Sequence, residues 1–415
     1  MIKIFHTADI HLGVENYGKI DSKTGIHSRL LDFKNSIARS VQDAIAEKCD
    51  LFLFCGDAYK TAYPTPTQQK LLMEEFFKLY IAKIPVVIIV GNHDHPLSFG
   101  KANSLDVFAD LPIDGFHLFS KPSLVKIETK SGPVQVVGIP WPTRNNLIAK
   151  DEHRLKTSEE ITKYLSEKVG EIIASLAQQV DKSIPAVLAG HLTASDGVFS
   201  GSEKRAIYGN DPTFMISQLA HAEFDYVALG HLHRFQNLNE GNFPAVVYSG
   251  SPERVDFGER SEEKGYCKIL IDENLPKCKE RVVLEFIPLK TRPFIQIEVV
   301  LQDGIDQTEQ LLAELAKHEI KDAIVKIIYH VPDGKIDKID LNAIFRACDD
   351  AIHLVGIFPI RNLQKIERRA AFKVDMGFEE IVEKYLENRE EKKEDKERIL
   401  QKSRELYAES LQSIE

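Results

Sequence analysis

Seven residues suited to metal chemistry stand at the ends of five apolar runs. Asp9 and His11 follow Ile2, Ile4 and Phe5, and Asp57 follows Leu51-Phe-Leu-Phe-Cys-Gly. Asn92 follows Pro85-Val-Val-Ile-Ile-Val-Gly, and His191 follows Ile184-Pro-Ala-Val-Leu-Ala-Gly. His231 and His233 follow Phe224-Asp-Tyr-Val-Ala-Leu-Gly. In four of the five runs the first polar residue comes directly after a glycine. Carboxylate, imidazole and amide oxygen without thiolate suit Mn, Fe, Zn or Mg and argue against a structural zinc site. Asp9 and His11 are two residues apart, as are His231 and His233, so each pair shares one face of an extended strand end. Two ions about 3.5–4 Å apart need a bridging carboxylate, and Asp57, alone at its strand tip, is the natural bridge. The expected sets are Asp9, His11, Asp57 and His233 on one ion, and Asp57, Asn92, His191 and His231 on the other. Such a pair activates water and neutralises phosphoryl oxygens, which is the chemistry of phosphoester hydrolysis. His93 adjoins Asn92 and points the other way, free to contact the phosphate or protonate the leaving group. Asp94 is expected to orient and charge it.

A single histidine after a strand is more often a surface or core residue than a ligand, and one Gly-Asp or Gly-Asn-His-Asp recurs by chance. Five polar strand ends in order are another matter. His6, His27, His95, His117, His153 and His221 lack that context and read as structural.

The elements that must position these residues are strands buried on both faces, which read as uninterrupted apolar runs. Open α/β sheets keep their sites at the carboxyl ends of such strands. Helical periodicity covers residues 28–48 (Leu30, Phe33, Ile37, Val41), 67–82 (Leu71, Leu72, Phe76, Tyr80) and 158–180 (Ile161, Leu165, Val169, Ile173). This strand-helix alternation predicts a largely parallel sheet covered by helices. Later runs at 134–139, 245–249, 265–271 and 281–286 pair as β structure and suggest a second sheet. The pattern restarts near residue 290 as β-α-β-α. Beyond about residue 376, two apolar stripes (Phe378, Ile381, Val382, Tyr385, Leu386, then Ile399, Leu400, Leu406, Tyr407, Leu411) flank a dense charge run. They either pack on their own domain or dock on a partner's helices. The expected domains are 1–290, 291–370 and 371–415.

The chain has 415 residues, 43% hydrophobic and 28% charged, which fits a globular protein of two or three domains. Its net charge of −10 argues against coating nucleic acid by bulk electrostatics, though divalent ions supply local positive charge outside that count. Five scattered cysteines read as reduced thiols. No run approaches the roughly 18 apolar residues of a membrane span, and no signal-like h-region precedes the first strand. A cytoplasmic location without membrane contact is expected.

Asp9-x-His11, Gly56-Asp57, Gly91-Asn92-His93-Asp94, Gly190-His191 and Gly230-His231-x-His233 together resemble the full motif set of the calcineurin-like metallophosphoesterases. His6-Thr-Ala-Asp-Ile-His-Leu-Gly is similar to one branch, the SbcD-type double-strand-break repair nucleases that partner SMC-like ATPases. So is Tyr248-Ser-Gly-Ser-Pro-Glu-Arg-Val-Asp-Phe-Gly-Glu-Arg with Glu263-Lys-Gly-Tyr. The resemblance implies an α/β (α+β) fold of two stacked sheets flanked by helices, a small β-α capping domain and C-terminal helices. It implies DNA cleavage with two Mn2+, or Mg2+ or another divalent ion. The implied modes are a 3′ to 5′ double-strand exonuclease and a single-strand or hairpin endonuclease. It further implies an SbcC-type ATPase on the C-terminal helices, a homodimer for which helix 67–82 is a candidate, and nucleoid association. One departure stands out: many members place a His three residues after the bridging Asp, where this chain has Lys60. Lysine binds phosphate but presents no imidazole face and does not titrate near neutrality. Arg254 is either available to a phosphate or paired with Asp256 or Glu259. Two competing readings are a stand-alone phosphoesterase acting on a small molecule and a scaffold without activity. The extra domain and tail count against the first, and the intact ligand set counts against the second.

Overall fold

The computed structural model describes residues 1–96, 101–110, 113–143, 157–201, 211–361, 382–383, 386 and 396–412. The strands in chain order begin with β1 (Ile2–Thr7), β2 (Leu51–Phe54), β3 (Val86–Ile89), β4 (Phe116–Phe119), β5 (Ser123–Thr129), β6 (Gly132–Ile139) and β7 (Ala186–His191). They continue with β8 (Thr193–Ala194), β9 (Thr213–Phe214), β10 (Tyr226–Gly230), β11 (Gln236–Asn237), β12 (Ala245–Tyr248), β13 (Gly265–Ile271) and β14 (Val282–Pro288). Two six-stranded sheets result, ordered β14-β13-β1-β2-β3-β4 and β11-β12-β10-β7-β6-β5. In the first, β1 to β4 run parallel, β13 is antiparallel to β1, and β14 is antiparallel to β13. In the second, β6, β7, β10 and β12 run parallel with antiparallel edges.

Period-two alternation explains why the apolar runs are unbroken. Leu51 and Leu53 join Ile4, Val87 and Ile89 in a core shared with Val136, Val187, Ala228 and Val247 of the second sheet. Phe52 and Phe54 point the other way, onto Phe33 and Val41 of helix Ser28–Ala46 and onto Leu72 and Phe76 of helix Pro66–Ile81. The outer face of the second sheet is covered by Val169, Ile173 and Ala177 of helix Ser158–Gln178. The layers are therefore helix, sheet, sheet, helix. Thr65 with Gln68 and Thr157 with Glu160 form capping boxes that start the second and third of these helices, close to the expected positions.

Register then brings the polar strand ends to one edge. Thr7 lies opposite Phe54, and Phe54 opposite Ile88. The turns after β1, β2 and β3 therefore emerge together. In the second sheet Gly230 pairs with His191. Strands β4 and β5, mostly half-buried, were not expected from the apolar runs.

A three-stranded sheet follows, ordered β15-β16-β17, from β15 (Phe294–Val300), β16 (Ile324–Val331) and β17 (His353–Arg361), with helices Gln307–Leu315 and Leu341–Ala347 between them. By compactness the chain divides into two units. One comprises Met1–Ile297, Leu315–Ile327 and Asn342–Gly356, and the other Glu298–Glu314, Ile328–Leu341 and Ile357–Glu415. Most of the first C-terminal stripe (Phe378, Ile381, Tyr385) and most of the charge run lie outside the described residues. The second stripe falls on helix Lys396–Gln412, where Leu406 and Tyr407 are exposed. Among the described residues no helix is long and apolar enough to cross a membrane. All five cysteines are free thiols.

Candidate metal centre

The turns that follow the strands are tight, and their glycines are required by space. A Cβ on Gly91 would lie 2.1 Å from Asp57 Oδ1, and one on Gly56 would lie 2.3 Å from His191 Nδ1. Asp9, His11, Asp57 and His231 all have positive φ, between 50° and 105°. Side chains other than glycine take that conformation at a cost of about 1–3 kcal/mol each, and such strain collects where a fold must aim a functional group.

The aim is inward. His11 Nε2 and His233 Nε2 are 2.9 Å apart. Asp57 sits between two sets, its Oδ2 3.7 Å from His11 Nε2 and its Oδ1 3.5 Å from His191 Nε2. Asn92 Oδ1 is 2.9 Å from His191 Nε2 and 3.3 Å from His231 Nδ1. Both oxygens of Asp9 accept the His231 backbone N–H at 3.0 Å. All seven expected ligands thus meet in one cluster, and six of them are buried.

Ring orientation is fixed from behind. His191 Nδ1 donates to the Cys55 carbonyl at 2.8 Å, and His233 Nδ1 to Glu259 at 2.8 Å. In the neutral rings this leaves the Nε2 lone pairs facing the cluster. Burial lowers His231 to about 3 and raises the Asp9 carboxyl to about 7. Burial also works against a charged His191, but Asp57 and Asp9 outweigh it and raise that ring to about 9. His231 Nε2 is buried without a hydrogen-bond partner. Close sets of donor atoms (Asp9, His11, His233; His11, Asp57, His93; Asp9, Asp57, His191) each lie within 4.8 Å. Two imidazole Nε2 atoms 2.9 Å apart, among nitrogen and oxygen donors and no sulfur, fit divalent ions.

The cluster forms the floor of a basin of about 830 Å³ whose wall includes Tyr17, Lys60, His93, Ser200 and Phe257. His93 is 43% exposed, with Nε2 3.9 Å from Asp57 Oδ2. Asp94 does not orient it. The Asp94 carboxylate is buried and accepts backbone N–H bonds from Asp57 (2.9 Å), Ala58 (3.0 Å), Gly91 (3.1 Å) and Tyr59 (3.3 Å). His93 Nδ1 donates instead to the Lys60 carbonyl at 2.8 Å. Lys60 lines the basin. Arg254 does not. Its guanidinium is taken up by the Glu262 carbonyl at 2.7 Å, Thr291 Oγ1 and the Arg292 carbonyl. Neither alternative expected for it, a free phosphate contact or a pairing with Asp256 or Glu259, describes that arrangement. His6 is a core residue, between Tyr226 Oη at 3.0 Å and the Leu229 carbonyl at 3.2 Å. Two residues at the site were not singled out in the sequence, Lys264 and Trp141, whose ring centroid lies 4.9 Å from that of His231, and Glu259 was considered only as a partner for Arg254. Their only signal was position, Glu259 and Lys264 within the Tyr248–Tyr266 segment that carried the resemblance.

Residues 2–235, which carry all seven of these groups, match the family model of the calcineurin-like phosphoesterases, and the chain belongs to that family. It is a metal-dependent phosphoester hydrolase. Among curated proteins it is similar to the SbcD subunit of the SbcCD nuclease from Staphylococcus epidermidis, 28% identical over 335 residues that cover 80% of this chain and 81% of that one. The SbcD subunit from Staphylococcus saprophyticus is likewise 28% identical, over 340 residues and 80% of each chain.

Proposed function

We propose that the chain is the nuclease subunit of a DNA double-strand-break repair complex, hydrolysing DNA phosphodiesters as a 3′ to 5′ exonuclease and a single-strand or hairpin endonuclease. The observation that carries this reading is the convergence of seven donor groups around Asp57 on the floor of an open basin, in a chain similar to SbcD along most of its length. Asp9, His11, Asp57 and His233 would hold one ion, and Asp57, Asn92, His191 and His231 the other, with Mn2+ the preferred metal. Such ions lower the pKa of water and neutralise charge on the phosphoryl group. His93, held through Nδ1 by the Lys60 carbonyl, turns Nε2 to the basin and protonates the leaving oxygen. Lys60, at the wall of the basin, binds a phosphate of the scissile strand. The C-terminal helices bind an SMC-like ATPase. Helix Pro66–Ile81 leaves Phe77 40% and Ile81 71% exposed beside Met73, a surface that suits a homodimer. With a net charge of −10, much of the affinity for DNA belongs to the partner. The protein acts at the nucleoid.

The test is cleavage of an end-labelled DNA hairpin with manganese, with and without the ATPase partner and ATP, with Asp57→Ala as control. Cleavage that is lost in the control and altered by partner and ATP supports the reading. Hydrolysis of a small phosphodiester without DNA cleavage overturns it. His93→Ala should lower cleavage by about 100- to 10,000-fold while both ions stay bound. Loss of metal in that variant would make His93 a ligand.

A further inference from the structure

Behind His233 lies a buried ion pair that the phosphoester chemistry does not require. Glu259 and Lys264 are both buried, 2.8 Å apart. Oε1 of Glu259 accepts from His233 Nδ1 at 2.8 Å, and Oε2 accepts the Val255 N–H at 2.9 Å. The ammonium of Lys264 donates to the backbone carbonyl of His233 at 2.9 Å and also meets Glu262 at 3.0 Å. One histidine is therefore gripped at its ring by the carboxylate and at its main chain by the lysine, and the two grips are bound to each other.

A buried ion pair is a poor source of stability, because desolvation offsets most of the attraction. Its value here is directional. We propose that Glu259 and Lys264 form a positioning pair that fixes the Nδ1–H tautomer of His233 and so commits its Nε2 to the ion held with Asp9 and His11. This rests on the two-ion reading of the site. Glu259 sets the tautomer by accepting the Nδ1 proton. Lys264 sets which way Glu259 can face, since both the ammonium and the Val255 N–H demand an oxygen.

The discriminating variant is Glu259→Gln, nearly identical in shape. Its amide has one oxygen for a site that needs acceptors on two sides. Lys264 and the Val255 N–H together claim that oxygen, which turns the amide NH2 toward His233 Nδ1. The ring then carries its proton on Nε2 and cannot ligate. The full chain is titrated with Mn2+ alone, counting bound ions by electron paramagnetic resonance and following fluorescence. Trp141 is the only tryptophan in the chain, and its ring lies 4.9 Å from that of His231, so its quenching reports the ion on the far side of Asp57 from His233. The expected result is one ion weakened by about 10- to 100-fold, with Trp141 quenching retained. A fault in folding alone would weaken both ions together. Glu259→Gln that binds both ions as tightly as the wild type overturns the proposal, as does equal weakening of both. If that variant does not fold, Glu259→Met with Lys264→Met removes both charges and restores apolar packing. One weakened ion in the double variant supports the proposal, and wild-type binding overturns it. A wild-type chain that binds no Mn2+ overturns the two-ion reading, whereas two ions bound by wild type and variant alike overturn only the positioning pair.

Discussion

Asp94 is where a neighbouring position in the sequence misleads and the structure makes a quantitative demand. Its carboxylate takes N–H bonds from three residues at 3.1 Å or closer, Asp57, Ala58 and Gly91, with Tyr59 at 3.3 Å. These tie the turn after β2 to the turn after β3, the two turns that deliver Asp57 and Asn92. Asp94→Ala leaves those buried donors without an acceptor. At about 1–2 kcal/mol for each of the three closer bonds, the expected loss of stability is about 3–5 kcal/mol, the sum being tempered because one group serves all three. Asp94→Asn should fall between, since its amide oxygen keeps part of the set. The assay is guanidinium unfolding followed by Trp141 fluorescence, with a chelator present so that ion binding does not contribute to stability. Ion affinity should fall in parallel, because the backbone that carries Asp57 is released. A variant within about 0.5 kcal/mol of wild type that nevertheless loses cleavage would refute this account and return Asp94 to His93 as its orienting partner.

Gly91→Ala would place a methyl 2.1 Å from Asp57 Oδ1 and 2.4 Å from the Asp57 backbone nitrogen. The turn must move, and calorimetric titration with Mn2+ should show at least one ion lost; two ions bound as in wild type would mean that the turn yields freely. Adding Mn2+ at about 100 times its dissociation constant to chelator-treated protein should stabilise it by about 2.7 kcal/mol per independent site. A melting temperature that manganese leaves unmoved would count against a site built from this cluster. Removal of residues 376–415 should leave hydrolysis of a short substrate intact and abolish co-purification with the ATPase. Hydrolysis that collapses with the tail would make those residues part of the phosphoesterase fold.

The cluster of candidate ligands was legible because two local rules coincide. A strand buried on both faces must be an unbroken apolar run, and its carboxyl end is where polar groups can surface together. Glycine before Asp57, Asn92 and His231 marks backbone too crowded for a side chain, since a Cβ there would come within 2.3 Å, 2.1 Å and 1.9 Å of a neighbouring atom. The layers were legible in part: the long helices and central strands were expected close to where they lie. Strands β4 and β5 were not, because their residues are mostly half-buried and no unbroken apolar run announces them, nor was β17, whose apolar residues (Leu354, Val355, Ile357, Phe358, Ile360) are interrupted by Gly356 and Pro359.

What surrounds the ligands was decided only by the fold. Asp94 follows His93 in the chain yet spends its oxygens on the backbone of residues 57–59 and 91, more than thirty positions away for the first three. Arg254, which a tight turn at Ser249–Arg254 would offer to a phosphate, donates instead to two carbonyls and Thr291. Glu259 and Lys264 reach His233 from a later segment. Residue type and spacing specify which groups can bind a metal, since both follow from local geometry. Which group stands behind each ligand, and which way it faces, depends on desolvation and hydrogen-bond supply at a point where several distant segments meet, and no local pattern encodes that.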